Sequence, residues 1–152
     1  MLNLFVERQR RVNMRAVSLR GVPPARLRLG QDLVSISRLR AAVERHPEGF
    51  QARVFTPAEW QACERRADRW AALASRFAAK EAALKALGTG WGRGASFTDV
   101  EVTGGGRTAP HLRLRGVAAR LARSLRLDLE VGLSHDGDLA LAVVLAWPHA
   151  AS

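Results

Sequence analysis

The chain has 152 residues, 47% of them apolar and 25% charged, which suits a single globular domain with a buried core. Lys and Arg number 24 against 14 Asp and Glu, so the formal charge of +10 predicts an acidic partner: nucleic acid, an anionic membrane, a polyphosphate ligand or an acidic protein. The single Cys63 excludes an intrachain disulfide, fits a reducing compartment and, with only four His, argues against a structural zinc site.

Residues 1–25 differ in composition from the rest of the chain. They are rich in Arg, end in the linker-like Gly21-Val-Pro-Pro24, and lack the sustained apolar core of a signal peptide. A basic arm and an unpatterned extension are both open; we favour the extension, a candidate for disorder, and expect the folded domain to cover residues 26–148. The longest apolar run, Leu139 to Trp147, is too short to span a membrane as a helix, so we expect a cytoplasmic protein.

The first elements after the extension are a strand and two short helices. Alternation at Arg26–Leu29 predicts a half-buried strand that ends near Gly30. Apolar residues at helical spacing from Ile36 to Val43 predict a helix that stops before Pro47. Thr56-Pro-Ala-Glu59 is a capping box with Pro at the first helical position, so a further helix begins there.

A longer helix is predicted from Arg69 to Leu87, with Gly88 at the usual C-terminal stop position. One face of this helix carries an apolar stripe that includes the stem of a lysine. Its members are Leu73, Phe77, Lys80, Leu84 and Leu87. Glu81 and Lys85 are four residues apart and project together beside that stripe.

The second half of the chain, after a loop at Gly90–Ser96, combines paired strands with one helix. The predicted strands are Phe97–Val102, His111–Arg115, Leu127–Ser134 and Leu139–Ala146. Val117, Leu121 and Leu125 mark the helix, and His135-Asp-Gly-Asp138 predicts a hairpin turn. This order of elements predicts an α+β fold with a mostly antiparallel sheet and packed helices.

Two segments carry candidate chemistry, and each has an ordinary alternative. Gly30-Gln-Asp32 places a carboxylate beside a flexible backbone, which suits a hard metal ion but also suits a turn. In the helix, Glu81 followed by Lys85 at i+4 is also a common surface pair. Neither segment alone identifies a function.

In combination and in order, these motifs resemble the 4'-phosphopantetheinyl transferase superfamily and, more narrowly, its small holo-acyl-carrier-protein synthase group. Gly-x-Asp stands at Gly30–Asp32, and the Arg-Phe-Ala-Ala-Lys-Glu-Ala, Lys-Ala and Gly-Thr-Gly motifs stand within Arg76–Gly90. Phe-x-Asp-x-Glu-Val occupies Phe97–Val102, and Ser-His occupies Ser134-His135. The resemblance runs from about Leu29 to Leu145, most of the chain.

The resemblance implies a 4'-phosphopantetheinyl transferase-like fold and a magnesium-dependent activity of fatty-acid biosynthesis. The 4'-phosphopantetheine group would move from coenzyme A to a serine of apo-acyl carrier protein, releasing 3',5'-ADP. Asp32 and Glu81 would be the Mg²⁺ ligands and Lys85 the third catalytic residue, since two carboxylates leave room for phosphate and water oxygens. The base that takes the serine proton stays open between Glu81, Asp32 and a metal-bound water.

Contacts with coenzyme A and with partners are also implied by the resemblance. The coenzyme A contacts would come from Arg76, Lys80, Lys85, Gly88, Gly90 and His135. The acidic carrier protein would dock on the first helix through Arg38 and, as a looser match, Arg45, while Arg40 would be a solvated charge. Members of the group are similar in forming homotrimers, with each active site between two subunits.

The chain departs from the family pattern at three places. Gln31 replaces the usual apolar residue between Gly and Asp, Gly106-Arg-Thr-Ala-Pro110 replaces a Gly-Lys-Pro turn, and residues 1–25 have no counterpart. None of these involves the implied magnesium ligands.

The alternative function is a basic nucleic-acid-binding module of α+β fold without catalysis. Such modules cluster Lys and Arg with exposed aromatic residues. Here aromatic residues make up 6% of the chain, Tyr is absent, and the basic residues are spread along the sequence. We therefore expect coenzyme A and a carrier protein as partners, and neither nucleic acid nor a membrane.

Overall fold

The structure, a computed structural model, describes residues 26–89 and 94–149. The predicted extension at residues 1–25 and the predicted ligand Gly90 lie outside the described residues. The helices are α1 (Ile36–Arg45), α2 (Pro47–Val54), α3 (Pro57–Glu64), α4 (Arg69–Leu87) and α5 (Gly116–Ser124). The strands are β1 (Arg28–Ser35), β2 (Val100–Gly105), β3 (Thr108–Leu114), β4 (Leu127–Asp136) and β5 (Leu139–Pro148), and a 3-10 turn at Phe97–Asp99 precedes β2.

The described strands form two antiparallel sheets. One has three strands in the order β1-β5-β4, and the other is the β2-β3 hairpin. β1 pairs with β5 along its whole length, from Arg28 opposite Ala146 to Ser35 opposite Leu139. This architecture confirms the predicted α+β class with an antiparallel sheet and packed helices.

Helix α4 is the centre of the core and is buried on nearly all sides. Its buried members include seven alanines, whose small side chains let neighbouring backbones approach closely. They are Ala72, Ala74, Ala78, Ala79, Ala82, Ala83 and Ala86. The helix packs against β1, β5 and β4 on one side and against β2 and α3 on the other, so it connects both sheets.

Several predicted boundaries are confirmed by local hydrogen bonding. The Thr56 hydroxyl accepts from the Glu59 amide and the Glu59 carboxylate accepts from the Thr56 amide, which closes the predicted capping box. Helix α4 ends at Gly88, whose φ of 76° is left-handed and suits glycine. In the described part of the chain, no helix has the length and apolar content needed to cross a membrane.

Two of the first elements differ from the prediction. β1 continues through Gly30 and Asp32 to Ser35, because β5 supplies a partner for every residue, so Asp32 lies in a strand and not in a turn. Pro47 ends α1 as predicted, but it also begins α2, since proline fits the first position of a helix.

The second half of the chain differs at the start of β2 and in the buried face of α5. Phe97–Asp99 forms a 3-10 turn because the Asp99 carboxylate accepts from the Ser96 amide and from the Val117 amide that begins α5. The predicted apolar stripe of α5 is only partly buried, and the fully buried positions are Ala118 and Ala122.

Candidate functional site

The candidate site lies where β1 crosses the C-terminal half of α4. A Cβ atom added to Gly30 would stand 1.8 Å from the carbonyl oxygen of Ala82, so only glycine allows the strand to approach the helix this closely. Residues two apart in a strand share one face. Asp32 therefore projects on the same side of β1 as Gly30, toward α4.

Lys85 joins the strand to the helix at this crossing. Its Nζ donates to Oδ1 of Asp32 at 2.8 Å and to the carbonyl oxygen of Gln31 at 3.0 Å. The Lys85 side chain is 48% exposed and that of Asp32 is 19% exposed. The structure thus brings two of the three predicted catalytic residues into contact at a surface open to solvent.

Glu81 belongs to the same face of α4. It stands one turn before Lys85, at the i,i+4 spacing that makes helical side chains neighbours, and its side chain is partly exposed. The Lys85 ammonium contacts the Asp32 carboxylate of the strand, and the i,i+4 spacing predicts the Glu81 carboxylate beside it. Such an arrangement can bind a polyphosphate only if further positive charge is supplied, because the two carboxylates outweigh the single lysine.

The donor set fits a hard divalent cation. Carboxylate oxygens are preferred ligands of Mg²⁺, which commonly takes one or two protein carboxylates and completes its octahedron with phosphate and water oxygens. Within residues 26–89 and 94–149, no three His, Cys, Asp or Glu side chains are grouped as a metal cage. If Asp32 and Glu81 held such an ion, its remaining positions would be left to substrate and water oxygens.

Lys80 lies away from this surface, although it immediately precedes Glu81. Its side chain has no exposed surface, and its Nζ contacts Oε2 of Glu59 at 2.7 Å and the carbonyl oxygens of Phe97 and Val100 at 3.0 and 2.5 Å. Burial lowers the pKa of Lys80, and the Glu59 carboxylate opposes that shift. This burial contradicts the predicted contact of Lys80 with coenzyme A, because an ammonium without exposed surface cannot reach a nucleotide.

From the sequence, Glu59 is recognisable only as part of a helix cap. Its Oε2 accepts from the Thr56 amide at 2.8 Å, as the capping box requires, but its Oε1 accepts from the Val102 amide at 2.8 Å and the carboxylate also pairs with Lys80. The capping motif contained a signal for the first contact. No pattern could reveal the pairing with a lysine 21 positions later.

Arg76 is buried but lies at a cavity. Its guanidinium donates to the carbonyl oxygens of Ala72 at 3.3 Å and Gly104 at 2.9 Å, while its buried Nε has no hydrogen-bond partner among the described residues. The guanidinium lines a cavity of about 290 Å³ together with Arg66 and the buried carboxylate of Glu101. Glu59 also lines this cavity, and Arg66 pairs with the Asp68 carboxylate at 2.7 Å, so carboxylates balance the two arginines there.

Two other predicted ligands lie at the surface. Gly88 is exposed at the end of α4, one turn after Lys85. His135 is exposed near the end of β4 and is close enough to Asp68, at the start of α4, to contribute to the lowered pKa of that carboxyl, whose main cause is a hydrogen bond from Arg66. Within one chain, His135 therefore lies toward the opposite end of α4 from Lys85.

Helix α1 follows the site directly and carries the predicted docking residues. It begins at Ile36, four residues after Asp32, and the Ser35 hydroxyl accepts from the Arg38 amide as its N-cap. Arg38 and Arg45 are both exposed. The helix therefore presents basic side chains next to the candidate site.

Arg40 on the same helix is engaged with its own neighbours. Its Nε contacts Oε1 of Glu44 at 2.8 Å, and its guanidinium lies 5.6 Å from the ring centre of Trp70. The Arg40 side chain is nevertheless 56% exposed, which agrees with the predicted solvated charge.

Comparison with known proteins gives the same result by sequence and by structure. The family model described as the 4'-phosphopantetheinyl transferase superfamily matches residues 28–144. The holo-[acyl-carrier-protein] synthase of Desulforudis audaxviator (strain MP104C) is 45% identical over 121 residues, which are 79% of this chain and 92% of that protein.

Solved structures extend the likeness to the fold. The holo-[acyl-carrier-protein] synthase of Helicobacter pylori in complex with coenzyme A aligns with a TM-score of 0.67 and 32% identity, covering 78% of this chain and 98% of that one. An ACPS–CoA complex from Chronobacterium ammoniagenes aligns with a TM-score of 0.71 and 32% identity, covering 82% and 98%.

Proposed function

The chain belongs to the holo-acyl-carrier-protein synthase group of the 4'-phosphopantetheinyl transferase superfamily, and we propose that the crossing of β1 and α4 is its active site. The protein transfers the 4'-phosphopantetheine group of coenzyme A to a serine of apo-acyl carrier protein, giving holo-acyl carrier protein and 3',5'-ADP. We assign this activity to residues 26–148. The observation that carries the proposed site is the Lys85–Asp32 contact, which joins strand and helix on the side where Glu81 projects.

Asp32 and Glu81 would hold Mg²⁺, which supplies positive charge at the pyrophosphate oxygens of coenzyme A. The reaction breaks the bond between the β-phosphorus and the oxygen that bridges it to the 3',5'-ADP portion, and it forms a bond from the β-phosphorus to the serine oxygen. Phosphoryl transfer depends mainly on positioning and charge stabilisation, so few protein groups are needed.

Lys85 has the position to assist the leaving group. Its ammonium is half-exposed and already neutralises the Asp32 carboxylate, so a small movement would direct it to the departing phosphate of 3',5'-ADP. The serine proton would pass to the carboxylate of Glu81 or Asp32, since both stand at the open face.

Nucleotide binding is assigned to Arg76, Gly88 and His135. Arg76 lines a cavity, which gives a ligand a route to its guanidinium, and exposed Gly88 allows close approach of backbone and ligand. His135 lies toward the other end of α4, which supports a role at the active site of a neighbouring subunit.

We propose the homotrimer that the family resemblance implies, and the apolar outer face of the β1-β5-β4 sheet, uncovered in a single chain, supports self-association. The exposed fractions of Leu29, Leu33, Leu139 and Leu141 are 58%, 59%, 48% and 39%. Monomers rarely expose contiguous apolar patches of this kind. A second copy of the chain is the occupant we propose.

The carrier protein would dock on α1 through Arg38 and Arg45. Both arginines are exposed on α1, the helix that begins four residues after Asp32, with Arg38 in its first turn and Arg45 at its end. Docking of an acidic partner on them would be electrostatic. We place the reaction in the cytoplasm, which the single buried Cys63 fits.

One assay tests the proposed function directly. The protein is incubated with apo-acyl carrier protein, coenzyme A and Mg²⁺, and the carrier is weighed by mass spectrometry. We expect a phosphopantetheine adduct on the carrier, and its absence with both fatty-acid and polyketide carriers would overturn the proposal. Omission of Mg²⁺ with added EDTA should abolish the adduct. The alternative function as a nucleic-acid-binding module has no support from the family match or from the aligned structures.

A further inference from the structure

We propose that the buried Lys80–Glu59 ion pair is a positioning device for the active site: it fixes the rotation of α4 and thereby places the Glu81 carboxylate opposite Asp32. The inference rests on the proposed function of Glu81. It gives Lys80 a role that differs from the predicted contact with coenzyme A.

The lysine end of the pair is saturated with protein acceptors. An ammonium group has three N–H donors, and the three acceptors of Lys80 are the Glu59 carboxylate, the Phe97 carbonyl and the Val100 carbonyl. No donor is left for a ligand. Lys80 therefore acts on the site through its own backbone and not by touching substrate.

The glutamate end is equally occupied. Glu59 accepts from the amide of Thr56 with one oxygen and from the amide of Val102 with the other, and it is 1% exposed. The two charges thus fasten α4 to three other elements: α3, the 3-10 turn and β2. Removal of either charge would release several of these contacts together.

A buried ion pair contributes less to stability than its short distance suggests. Desolvation of two charges offsets much of their attraction, and apolar replacements of a whole pair are often neutral or stabilising. What apolar side chains lack is a preferred direction, whereas the five hydrogen bonds and ionic contacts around this carboxylate and this ammonium depend on angle as well as distance. This contrast points to positioning as the function of the pair.

The position of Lys80 on α4 links the pair to the site. Glu81 is the next residue, so any rotation of α4 at Lys80 is passed to it directly. On one side of the helix, Gly30 of β1 allows close approach at Ala82, and on the other, Arg76 donates to the Gly104 carbonyl of β2. The helix is therefore held between the strand that carries Asp32 and the strand bound by the ion pair.

Small rotations of this helix have large consequences for the chemistry. A side-chain group about 6 Å from a helix axis moves by about 1 Å when the helix turns by about 10°. A misplacement of about 1 Å can reduce an enzymatic rate by about 100-fold. The ion pair resists such a rotation of α4 at the residue that precedes Glu81.

The test replaces the whole pair so that no buried charge is left alone. We compare Lys80→Met/Glu59→Gln with the matched control Arg40→Met/Glu44→Gln, which removes an exposed ion pair on α1. Both double variants leave the net charge unchanged. Circular dichroism and thermal melting establish that each is folded, and steady-state transfer to apo-acyl carrier protein gives kcat and KM.

We expect the buried double variant to lose about 30- to 100-fold in kcat, with KM for the carrier within about threefold of wild type. By calorimetry, the gain in coenzyme A affinity on adding Mg²⁺ should shrink at least fivefold in the same variant. The control should keep kcat within about twofold. A folded Lys80→Met/Glu59→Gln protein with kcat and Mg²⁺-dependent affinity both within threefold of wild type would overturn the inference.

A second variant decides the matter if the double variant does not fold. Glu59→Asp keeps the charge of the pair but shortens the side chain by one methylene. The carboxylate can then reach Lys80 only if α4 shifts, and otherwise the contact is lost. We expect about a tenfold loss of kcat with unchanged KM for the carrier; retention of kcat within twofold, or a change confined to KM, would overturn the inference. The wild-type protein, assayed in parallel, separates this outcome from failure of the proposed function, in which wild type itself would give no adduct.

Discussion

Two lysine–carboxylate pairs lie on one helix, five residues apart, and they differ in almost everything but distance. The Lys80–Glu59 contact is 2.7 Å and the Lys85–Asp32 contact is 2.8 Å. Both side chains of the first pair have no exposed surface, whereas in the second pair Lys85 is 48% exposed and Asp32 is 19% exposed. The first is surrounded by protein acceptors and donors, and the second opens onto solvent.

Membership of the same motif therefore does not give two lysines the same chemical role. Lys80 and Lys85 both belong to the family motif and both were expected to contact coenzyme A. A helix turns by 100° per residue, so five residues place the two ammonium groups in different environments: one between α3, α4 and β2, the other above β1. The partner in space, and not the residue type, decides which lysine is free to meet substrate.

The largest effect is expected at the carboxylate beside the solvent-facing pair. Glu81→Gln should reduce transfer by about 1000-fold while leaving the fold intact, because it removes a charge assigned to the metal and keeps the side-chain shape. Steady-state assays measure the loss of transfer, and circular dichroism checks that the fold is intact. Glu48→Gln, an exposed position on α2, is the matched control; near-normal activity of Glu81→Gln would make the metal assignment wrong.

Removal of only one partner of the buried pair should lower the stability of the protein in addition to its kcat. Lys80→Met leaves the Glu59 carboxylate charged and buried, and breaking such a pair costs about 3–5 kcal/mol. Urea unfolding of the variant and wild type measures the difference. A loss of less than about 1 kcal/mol would contradict the buried environment that distinguishes this pair from the other.

Substitution in the exposed pair should lower kcat and leave the stability of the protein nearly unchanged. Lys85→Met is expected to change the free energy of unfolding by less than about 1 kcal/mol, because exposed ion pairs contribute little. Its kcat should nevertheless fall by about 100-fold, since the charge directed at the leaving phosphate is lost. Lys85→Arg, which keeps the charge, should recover part of that rate. A large loss of stability with normal kcat in Lys85→Met would contradict the role proposed for Lys85.

Substitution of Arg38 on α1, outside both ion pairs, should affect only the binding of the carrier protein. Arg38→Glu is expected to raise KM for apo-acyl carrier protein by about tenfold and to leave kcat nearly unchanged, because the proposed docking is electrostatic. Raising the salt concentration from 50 to 300 mM should weaken wild-type docking in the same direction. A KM that depends on neither the substitution nor salt would exclude α1 as the docking surface.

Much of the fold could be predicted from local patterns. Helix α4 was predicted from Arg69 to Leu87, and the structure has the same bounds, because helical periodicity, small residues and a terminal glycine agree there. The strand at Asp32 was predicted too short, since its extension depends on pairing with β5, a segment more than 100 positions away. The 3-10 turn at Phe97 depends in the same way on Asp99 capping a distant helix.

The candidate site shows the same division. The family resemblance predicted that Asp32, Glu81 and Lys85 act at one site. In the structure Lys85 contacts Asp32, and Glu81 lies on the same face of α4 as Lys85. The sequence alone did not identify Glu59 as the partner of Lys80, because an i,i+21 relation across a turn has no periodic signature.

By itself, the sequence determined the family, the class of fold and the set of residues from which the chemistry is drawn, because ordered motifs and helical spacing are properties of the chain. Only the tertiary structure decided which of two neighbouring lysines is buried and which is exposed. The physical reason is desolvation: an ammonium withdrawn from water must find acceptors from other segments, and where those segments meet is fixed by packing and not by local order.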